Sequence, residues 1–300
     1  MRKLQFDVDN SVRKQGIMFN IRLDSTSRSK VLAYVRDFIN KKRKFYVVTP
    51  NPEIFLMAQE DKSLLNAING ATLALPDGVG LAMADRFLKL TAPKNILIKI
   101  PAGILQGIGV GLSIFVNKKW LLSGLNILKG REVFMDLVSL ANKRGWKTFL
   151  LGGKGSEAQD VVEKLKLNYK KVKFEYAPGP TLNDEAKPVS ESDIKMQNDV
   201  IYRINNFKPQ LLFVAFGAPK QEKWIYEWLP KLDIGGAMVV GGAFSYIAGH
   251  SKLPPKWMEG IGLEWVWRLI AEPWRAGRII KASIVFPWKV FLYKLSQTNS

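Results

Sequence analysis

Short apolar runs that alternate with helical patterns constrain the fold of this chain more than any other feature. They predict strands at Phe45–Thr49, Ala71–Leu75, Lys147–Leu151, Val172–Tyr176, Leu211–Phe216 and Ala237–Val240. Helical periodicity predicts helices between them, including one helix over Pro52–Ala67 and another over Gln221–Trp228. Such alternation is typical of parallel βαβ units. We therefore predict an α/β fold with a Rossmann-like, mostly parallel sheet flanked by helices, and functional groups beyond the carboxyl ends of its strands.

The last fifty residues differ in composition from the rest. Five of the nine tryptophans lie there: Trp257, Trp265, Trp267, Trp274 and Trp288. Five cationic residues and no acidic residue follow Glu272. Tryptophan interleaved with cations on a helical pattern suits the interface of an anionic membrane, and the alternative is a helix packed on its own domain with a solvated basic face. We predict a Rossmann-like domain over residues 1–250 and a basic amphipathic helical appendage, which binds membrane, over 251–300.

The net charge of +19 narrows the partner to a polyanion, namely nucleic acid, an acidic membrane surface or a phosphorylated substrate. The chain has no cysteine, which excludes disulfides, and its single histidine, His250, is too few for an ordinary zinc site. The N-terminus, MRKLQFDVDNSVRKQ, lacks the apolar core of a signal peptide. We expect a cytoplasmic protein bound peripherally to the inner face of the cell membrane. The oligomeric state is left open.

One apolar stretch, within about residues 93–127, does not fit the pattern of alternating strands and helices. Ile100–Asn117 is eighteen consecutive uncharged residues, with Lys99 before it and Lys118 after it. Its length is borderline for a membrane span. Its four glycines and one proline disfavour a single helix, because each glycine lowers helix propensity by about 1 kcal/mol. Two interpretations remain, a buried hairpin and a re-entrant contact with the membrane.

Asp77 is the strongest candidate for a catalytic side chain. It lies in the turn Pro76-Asp77-Gly78, where a predicted strand ends and a helix begins. A carboxylate there either caps the helix or acts as a general base. Thr49 and Asn51 follow the preceding strand in the same way. Because neighbouring strand ends of a parallel sheet line one crevice, we expect Thr49, Asn51 and Asp77 to converge.

Three glycine turns follow apolar strands, and backbone N–H groups of such turns can hold a diphosphate. The turns are Gly152-Gly153-Lys154-Gly155-Ser156, Gly217-Ala218-Pro219-Lys220-Gln221 and Gly241-Gly242-Ala243-Phe244. They indicate a nucleotide-diphosphate site, with a purely structural role as the alternative. The residues predicted to bind the nucleotide are Asn51, Gly152, Gly153, Gly217, Lys220, Gln221 and Gly242. Neither the dinucleotide fingerprint nor the P-loop is present. We expect no metal, since the only Asp-x-Asp match is Asp7–Asp9.

Placed together, these motifs resemble the WecG/TagA/CpsF glycosyltransferases, glycosyltransferase family 26. The resemblance covers most of Ile17–Arg278 and rests on motifs in the same order. They are T-x-N-x-E from Thr49, Asp77-Gly78, LLGG at Leu150–Gly153, FGAPKQE at Phe216–Glu222, GGAF…AG over Gly241–Gly249 and PPKWMEGIGLEWVWRLIAEPWRAGR at Pro254–Arg278. The last block is highly specific.

The resemblance implies a metal-independent, inverting enzyme that needs no cofactor. It implies transfer of N-acetylmannosamine or a related hexose from a UDP-sugar to a polyprenyl-diphosphate-linked GlcNAc-type acceptor, for cell-wall or surface polysaccharide. By position, Asp77 matches the catalytic base, with Thr49 near it, and Gln221 lies in the cleft motif. Arg268, Arg275 and Arg278 match arginines that bind the lipid diphosphate. Membrane attachment and completion of the active site are then expected to be one event.

Three departures from the family pattern stand out. Ser245 occupies a position where relatives usually carry Asp, and Ile100–Asn117 resembles an insertion. Around Gly130–Leu137 the pattern is partly kept, with Glu132 for the acid and Ile127 for the arginine. Two alternative functions are a nucleic-acid-binding α/β protein and a non-catalytic, membrane-associated relative. The concentration of aromatic residues in one tail favours membrane over nucleic acid.

Overall fold

A computed structural model of the chain describes residues 14–93 and 95–297. Contacts between Cα atoms group the chain into two compact units. Unit 1 contains the chain up to Thr49, Met57–Leu75 and Leu128–Lys252, and unit 2 contains Pro50–Leu56, Pro76–Ile127 and the chain from Leu253 onward. The division at residue 250 stays a prediction, and the Asp7–Asp9 match lies outside the described residues.

Unit 1 contains two sheets. A hairpin, which the sequence did not lead us to expect, pairs β1 (Lys14–Met18) with β2 (Ile21–Ser25) in antiparallel fashion. The larger sheet has six strands in the order β4-β3-β8-β7-β5-β6. Its strands are β3 (Phe45–Val48), β4 (Leu73–Ala74), β5 (Lys147–Gly152), β6 (Lys173–Ala177), β7 (Leu211–Ala215) and β8 (Gly236–Val239). All its pairings are parallel, which confirms the predicted fold class.

Helices alternate with the strands along the described chain. In order they are α1 (Arg28–Asn40), α2 (Pro52–Glu60), α3 (Lys62–Asn69), α4 (Val79–Lys89), α5 (Ile96–Val116), α6 (Lys118–Leu122), α7 (Gly130–Arg144), α8 (Glu157–Asn168), α9 (Glu191–Phe207), α10 (Lys220–Trp228), α11 (Ala243–Ala248), α12 (Lys256–Gly260), α13 (Glu264–Ala271), α14 (Ala276–Ile280) and α15 (Phe286–Ser296). A 3-10 turn, Pro273–Arg275, joins α13 to α14, and a π-helical stretch, Lys281–Val285, joins α14 to α15. The predicted C-terminal helical segment is therefore present.

The core of unit 1 lies on the parallel sheet. Val47, Leu150, Phe213 and Met238, from four different strands, are each at most 1% exposed. The ring of Phe134 on α7 meets the ring of Phe213 edge-on, with 4.4 Å between centroids. Strands buried in this way read as continuous apolar runs rather than alternating ones, which is why they were visible in the sequence.

The prediction of one helix over Pro52–Ala67 is wrong, because α2 ends at Glu60 and α3 begins after Asp61. Asp61 is the N-cap of α3, and its Oδ1 accepts hydrogen bonds from the backbone of Ser63 (2.9 Å) and Leu64 (3.0 Å). Its Oδ2 lies 2.6 Å from Nζ of Lys223, which also lies 3.1 Å from Oε1 of Glu185. A capping carboxylate with a cationic partner thus begins a second helix inside a continuous apolar pattern.

Of the two interpretations of Ile100–Asn117, the buried hairpin is wrong, and re-entrant contact with the membrane stays a prediction. The segment lies in the continuous helix α5, with Pro101 near its start. One of the four glycines permits close packing: a Cβ on Gly103 would lie 2.9 Å from Cε2 of Phe291. A Cβ on Gly109 or Gly111 would meet no atom within 4 Å, so this packing offsets only part of the helix propensity that the glycines lack. Leu97–Val116 is long and apolar enough to cross a membrane by length and composition, and 22% of that window is buried.

Lys223→Met should destabilise unit 1, because Lys223 is only 6% exposed and is the cationic partner of Asp61 and Glu185. We expect the free energy of unfolding at pH 7 to fall by about 1–3 kcal/mol. Burial tends to raise the pKa of Asp61, but hydrogen bonding to Lys223 and to the α3 backbone brings it below its ordinary 3.8. The ionised carboxylate therefore stabilises the fold above pH 3.8, and this contribution is lost as the pH falls through the lower folded value.

Urea unfolding at several pH values measures this difference. Lys187→Met is the matched control, since the ion pair of Lys187 with Glu227 is exposed (Nζ–Oε2 2.6 Å) and should contribute less than about 1 kcal/mol. The difference in the free energy of unfolding between the Lys223 variant and wild type should become smaller below pH 3.8. Equal losses of this free energy in the Lys223 and Lys187 variants would contradict the stabilising role of the Asp61–Lys223 pair.

Candidate functional site

Thr49 follows β3 and packs against the start of α7. A Cβ on Gly130 would lie 3.0 Å from Oγ1 of Thr49, so glycine at this position allows the close approach. Gly130 is the first residue of a fifteen-residue helix. Its N-terminus presents backbone N–H groups and a partial positive charge. The predicted site residue Thr49 is thus placed where negative charge is stabilised.

The partly kept motif after Gly130 has a packing role in unit 1. Arg28 of α1 contacts two carboxylates of α7, with Nε 2.6 Å from Oδ2 of Asp136 and NH1 3.1 Å from Oε2 of Glu132. The hydrogen bond to Asp136 raises the pKa of Arg28 above its ordinary value. Glu132 therefore joins α7 to α1.

The glycine turn after β5 already contains an anion. Gly152 and Gly153 have φ of +96° and +86°, a region that favours glycine. Lys154 donates its backbone N–H to Oε2 of Glu157 at 2.9 Å. The carboxylate of Glu157, which is 5% exposed, thus occupies an amide that a diphosphate would use. Diphosphate binding by Gly152 and Gly153 stays a prediction, and it has to accommodate this carboxylate.

Ser245 and His250 complete a polar cluster around Glu157. Ser245 donates its hydroxyl to Oε1 of Glu157 at 2.6 Å. His250 lies with Nε2 3.0 Å from Oδ2 of Asp160 and Nδ1 3.9 Å from Oε1 of Glu157. The serine found where relatives usually carry Asp is therefore a hydrogen-bond donor to a buried carboxylate. A second carboxylate there would face Glu157 directly.

Gln221 connects the turns that follow β7 and β8. It is 4% exposed, and its Oε1 accepts the backbone N–H of Gly241 at 3.1 Å. Its Nε2 donates to Oε1 of Glu222 at 2.9 Å. Lys220 begins α10 and is half-buried, Gly217 has φ of +76°, and Gly242 is the N-cap of α11. Gln221 therefore positions the Gly241–Gly242 turn.

Asp77 lies in unit 2, one residue before the N-cap of α4. That N-cap is Gly78, with φ of +94°, so the capping position is not occupied by Asp77. The backbone N–H of Asp77 donates to the carbonyl of Pro50 at 3.0 Å. Asn51 accepts the N–H of Ile54 at 3.0 Å through Oδ1 and thereby caps the start of α2. These contacts hold Asn51 and Asp77 in neighbouring turns.

The three predicted arginines also lie in unit 2, and two of them contact carboxylates. Nε of Arg278 lies 3.0 Å from Oε1 of Glu53, and NH1 of Arg275 lies 3.0 Å from Oε2 of Glu272, which is 4% exposed. Arg268 lies on α13 and is half-buried. Glu53 lies in the first turn of α2, two residues after Asn51. Arg278 therefore contacts the same short segment, Pro50–Glu53, to which the backbone of Asp77 is bonded.

Convergence of Thr49 with Asn51 and Asp77 stays a prediction, because Thr49 belongs to unit 1 and the other two to unit 2. Over residues 14–93 and 95–297 no group of three or more His, Asp or Glu side chains is placed to hold a metal ion. Metal-independent chemistry likewise stays a prediction.

Two acidic residues of these sites were missed in the sequence. Glu157 is three residues after Lys154 in the first turn of a helix, a spacing from which a side chain reaches back to a preceding amide. Glu272 is the last acidic residue before the cationic tail and three residues before Arg275, a spacing that brings side chains together on a helical turn. Both signals were present in the sequence.

Ser245→Asp should destabilise unit 1 at neutral pH, because it places a second carboxylate against Glu157. We expect a loss of about 1–3 kcal/mol in the free energy of unfolding at pH 7.5. Urea unfolding measures the effect. Adding Glu157→Gln should restore stability at pH 7.5, since the amide can donate to the new Asp. A double variant as unstable as Ser245→Asp alone would refute the contact.

Comparison with known proteins agrees with the motifs. The model of the glycosyl transferase WecG/TagA/CpsF family matches residues 17–98 and 109–300, and the interruption falls within α5. A Bacillus subtilis (strain 168) protein named N-acetylglucosaminyldiphosphoundecaprenol N-acetyl-beta-D-mannosaminyltransferase is 26% identical over 262 residues, covering 87% of this chain and 85% of that protein. A Staphylococcus aureus (strain NCTC 8325 / PS 47) protein of the same name is 25% identical over 285 residues, covering 94% and 92%. The chain therefore belongs to the WecG/TagA/CpsF family of glycosyltransferases.

Proposed function

We propose that this glycosyltransferase moves N-acetylmannosamine, or a related hexose, from a UDP-sugar to a polyprenyl-diphosphate-linked GlcNAc acceptor, as a step in cell-wall or surface polysaccharide synthesis. One observation carries the proposal. The family match includes Thr49, Asp77 and the three arginines Arg268, Arg275 and Arg278, and the two relatives are named for transfer to such an acceptor. The proposal includes no metal and no cofactor.

Asp77 is the proposed general base. Its carboxylate takes the proton of the acceptor hydroxyl while that oxygen forms a bond to the anomeric carbon of the donor sugar. The bond between the anomeric carbon and the phosphate oxygen breaks, and its electron pair leaves with UDP. A single displacement of this kind inverts the anomeric carbon. The position of Asp77 before the glycine N-cap of α4 supports the role, because the capping position falls to Gly78.

The arginines of unit 2 are the proposed binding groups for the acceptor diphosphate. Guanidinium groups bind phosphate with two parallel hydrogen bonds and keep their charge at any working pH. Arg275 and Arg278 contact Glu272 and Glu53. Binding then exchanges a carboxylate for a phosphate, so neither arginine has to be desolvated without a partner. Arg268, four residues before Glu272 on the same helical segment, is the third proposed contact.

The glycine turns of unit 1 are the proposed donor site. The turns after β7 and β8 are joined through Gln221 and Gly241, which gives them a fixed relative geometry. Lys220 supplies a cation beside the N-terminus of α10. Preorganised donors of this type stabilise the charge that develops on a leaving diphosphate.

The proposed location is the cytoplasmic face of the cell membrane, bound peripherally. The acceptor carries a polyprenyl chain, and the exposed side chains of unit 2 include Trp257, Trp265, Trp274 and Trp288. Aromatic and cationic residues of this kind suit an anionic interface. The account of membrane attachment coupled to completion of the active site rests on the same residues.

Asp77→Asn should abolish most of the transfer. We expect kcat to fall by about 10²–10⁴-fold with little change in KM for the donor, because the amide binds as before but cannot accept the proton. Release of UDP and formation of lipid-linked disaccharide, measured with a UDP-hexosamine and a polyprenyl-diphospho-GlcNAc acceptor, give both parameters.

Asp37→Asn is the matched control, since Asp37 lies on α1 in an exposed ion pair with Lys41 (2.9 Å). Its activity should equal that of wild type. Equal transfer by wild type and Asp77→Asn would remove Asp77 as the base, and no transfer by wild type with any UDP-hexosamine would refute the proposed activity.

A further inference from the structure

Helix α5 does not have the polarity of a surface helix in water. Its buried side chains are two polar ones, Lys99 (7% exposed) and Ser113 (8% exposed), and two apolar ones, Val110 (3% exposed) and Ile114 (6% exposed), with Gly103 on the same stripe. A water-exposed helix places its apolar stripe inward and its polar residues outward. Here half of the buried side chains are polar.

The outward face of α5 consists of large apolar side chains. Nine of them are exposed: Leu97 (79%), Ile98 (55%), Ile100 (41%), Ile104 (51%), Leu105 (70%), Ile108 (55%), Leu112 (55%), Phe115 (60%) and Val116 (85%). No charged residue interrupts the chain from Ile100 to Asn117. A contiguous apolar surface of this kind marks an interaction site rather than a surface in contact with water.

Both ends of α5 are attached to other parts of unit 2. Near its start, Nζ of Lys99 donates to the carbonyls of Leu295 and Gln297, each at 2.9 Å. Beyond its end, Nζ of Lys118 donates to the carbonyl of Gly260 at 2.6 Å. C-terminal segments of unit 2 thus hold both ends of α5.

A second buried lysine attaches α5 to α15 in its middle. Nζ of Lys294 donates to the carbonyl of Phe87 and to Oε1 of Gln106, each at 2.6 Å. Burial, with Lys99 nearby, lowers the pKa of Lys294 to about 8. Lysines are buried in this way only where carbonyl and amide oxygens replace water, so α5 and α15 form one rigid pair.

We propose that α5 lies in the plane of an anionic bilayer, with the line of Leu97, Ile104, Ile108 and Phe115 immersed in the acyl region. These four residues follow the spacing i, i+7, i+11, i+18, which places them along one line of a helix. The helix holds unit 2 at the depth of the head groups. The inference rests on the proposed function only for its purpose, because a lipid-linked acceptor explains why the enzyme enters the interface.

The contacts of α5 favour an orientation in the membrane plane over a membrane span. A spanning orientation would take the buried Lys99 and Lys294, and the half-buried Lys289 of α15, into the hydrocarbon, where charged side chains are expensive. In the membrane plane, the same lysines stay on the water side of the helix. Interfacial helices bury an apolar face about 5–10 Å below the head groups.

Charge favours a bilayer over a second copy of the chain as the partner of this face. The chain carries +19, so two copies repel each other, whereas anionic lipid attracts both. The exposed apolar surface also continues onto α15 through Trp288 (59% exposed), whose ring stacks on that of Phe291 at 5.6 Å between centroids. Phe291 packs against Gly103 of α5.

Single-cysteine spin labelling tests the orientation directly, because the natural chain has no cysteine. Labels at Leu97, Ile104, Ile108 and Phe115 are examined with vesicles of phosphatidylcholine and phosphatidylglycerol, and depth is read from collisions with oxygen and with a water-soluble relaxant. We expect four similar depths in the acyl region. Deep labels at Ile104 and Ile108 with shallow labels at the two ends, about 27 Å apart on the helix axis, would show a span and overturn the proposal.

Charge substitutions on the same face measure its share of membrane affinity. Ile104→Glu combined with Ile108→Glu should lower the vesicle partition coefficient of the full chain at least about tenfold. Leu167→Glu on α8 is the matched control, since Leu167 is 68% exposed in unit 1, and it should bind as wild type does. Both variants should keep the wild-type circular dichroism spectrum, because the substituted residues are exposed.

Unchanged vesicle binding by the Ile104/Ile108 variant would overturn the proposal. So would a stable dimer that the same substitutions dissociate, because it would assign the face to a second copy. Binding is measured without sugar substrates, so a wild-type chain that binds vesicles through α5 but transfers no sugar would refute only the proposed function. A variant that transfers sugar to a short-chain, water-soluble acceptor but fails to bind vesicles would support both.

Discussion

Four strands of the parallel sheet, β3, β4, β7 and β8, are buried from end to end, and this burial determines where chemistry can occur in unit 1. Helices cover the apolar strands, so the polar groups are placed in the turns that leave the carboxyl edge. The glycines at those turns have a steric cause, since Gly152 and Gly153 adopt positive φ and Gly130 admits the hydroxyl of Thr49. The side chains of Gln221 and Glu157 accept hydrogen bonds from backbone N–H groups of the turns, and these bonds fix the turns relative to the strands.

Unit 2 combines two properties. Arg275 and Arg278 are paired with carboxylates, so their charge is already compensated before any phosphate binds. Helix α5 buries two polar side chains, Lys99 and Ser113, and exposes a face of large apolar ones. The proposed acceptor has the same two parts, a diphosphate and a polyprenyl chain. One compact unit therefore offers complementary surfaces to both ends of that substrate.

The sequence predicted the sheet well because buried parallel strands are continuous apolar runs. It failed where one side chain changes the local outcome, as at Asp61, whose capping bonds and ion pair with Lys223 divide a predicted helix into two. It also failed for α5, where the contacts of Lys99, Gly103 and Lys118 with C-terminal segments outweigh the low helix propensity of glycine. Propensity is local, whereas both outcomes depend on residues distant in the chain.

The candidate site was predictable in kind and less so in detail. Glycine turns and Asp77 were visible because turn chemistry depends on neighbouring residues, whereas Arg268, Arg275 and Arg278 were chosen from the resemblance to the family. The role of Ser245 was not, because it depends on Glu157, eighty-eight residues away in the chain. The partners of the two arginines also differ in their distance along the chain. Glu272, the partner of Arg275, is a neighbour in sequence, whereas Glu53, the partner of Arg278, is not.

The central claim is that membrane contact and acceptor binding act together in unit 2. The most direct measurement compares kcat/KM of the wild-type enzyme for a short-chain, water-soluble diphospho-GlcNAc acceptor with and without anionic vesicles that contain no acceptor. We expect vesicles to raise kcat/KM at least about tenfold, since contact with lipid is proposed to complete the acceptor site. The same kcat/KM with and without vesicles would contradict it.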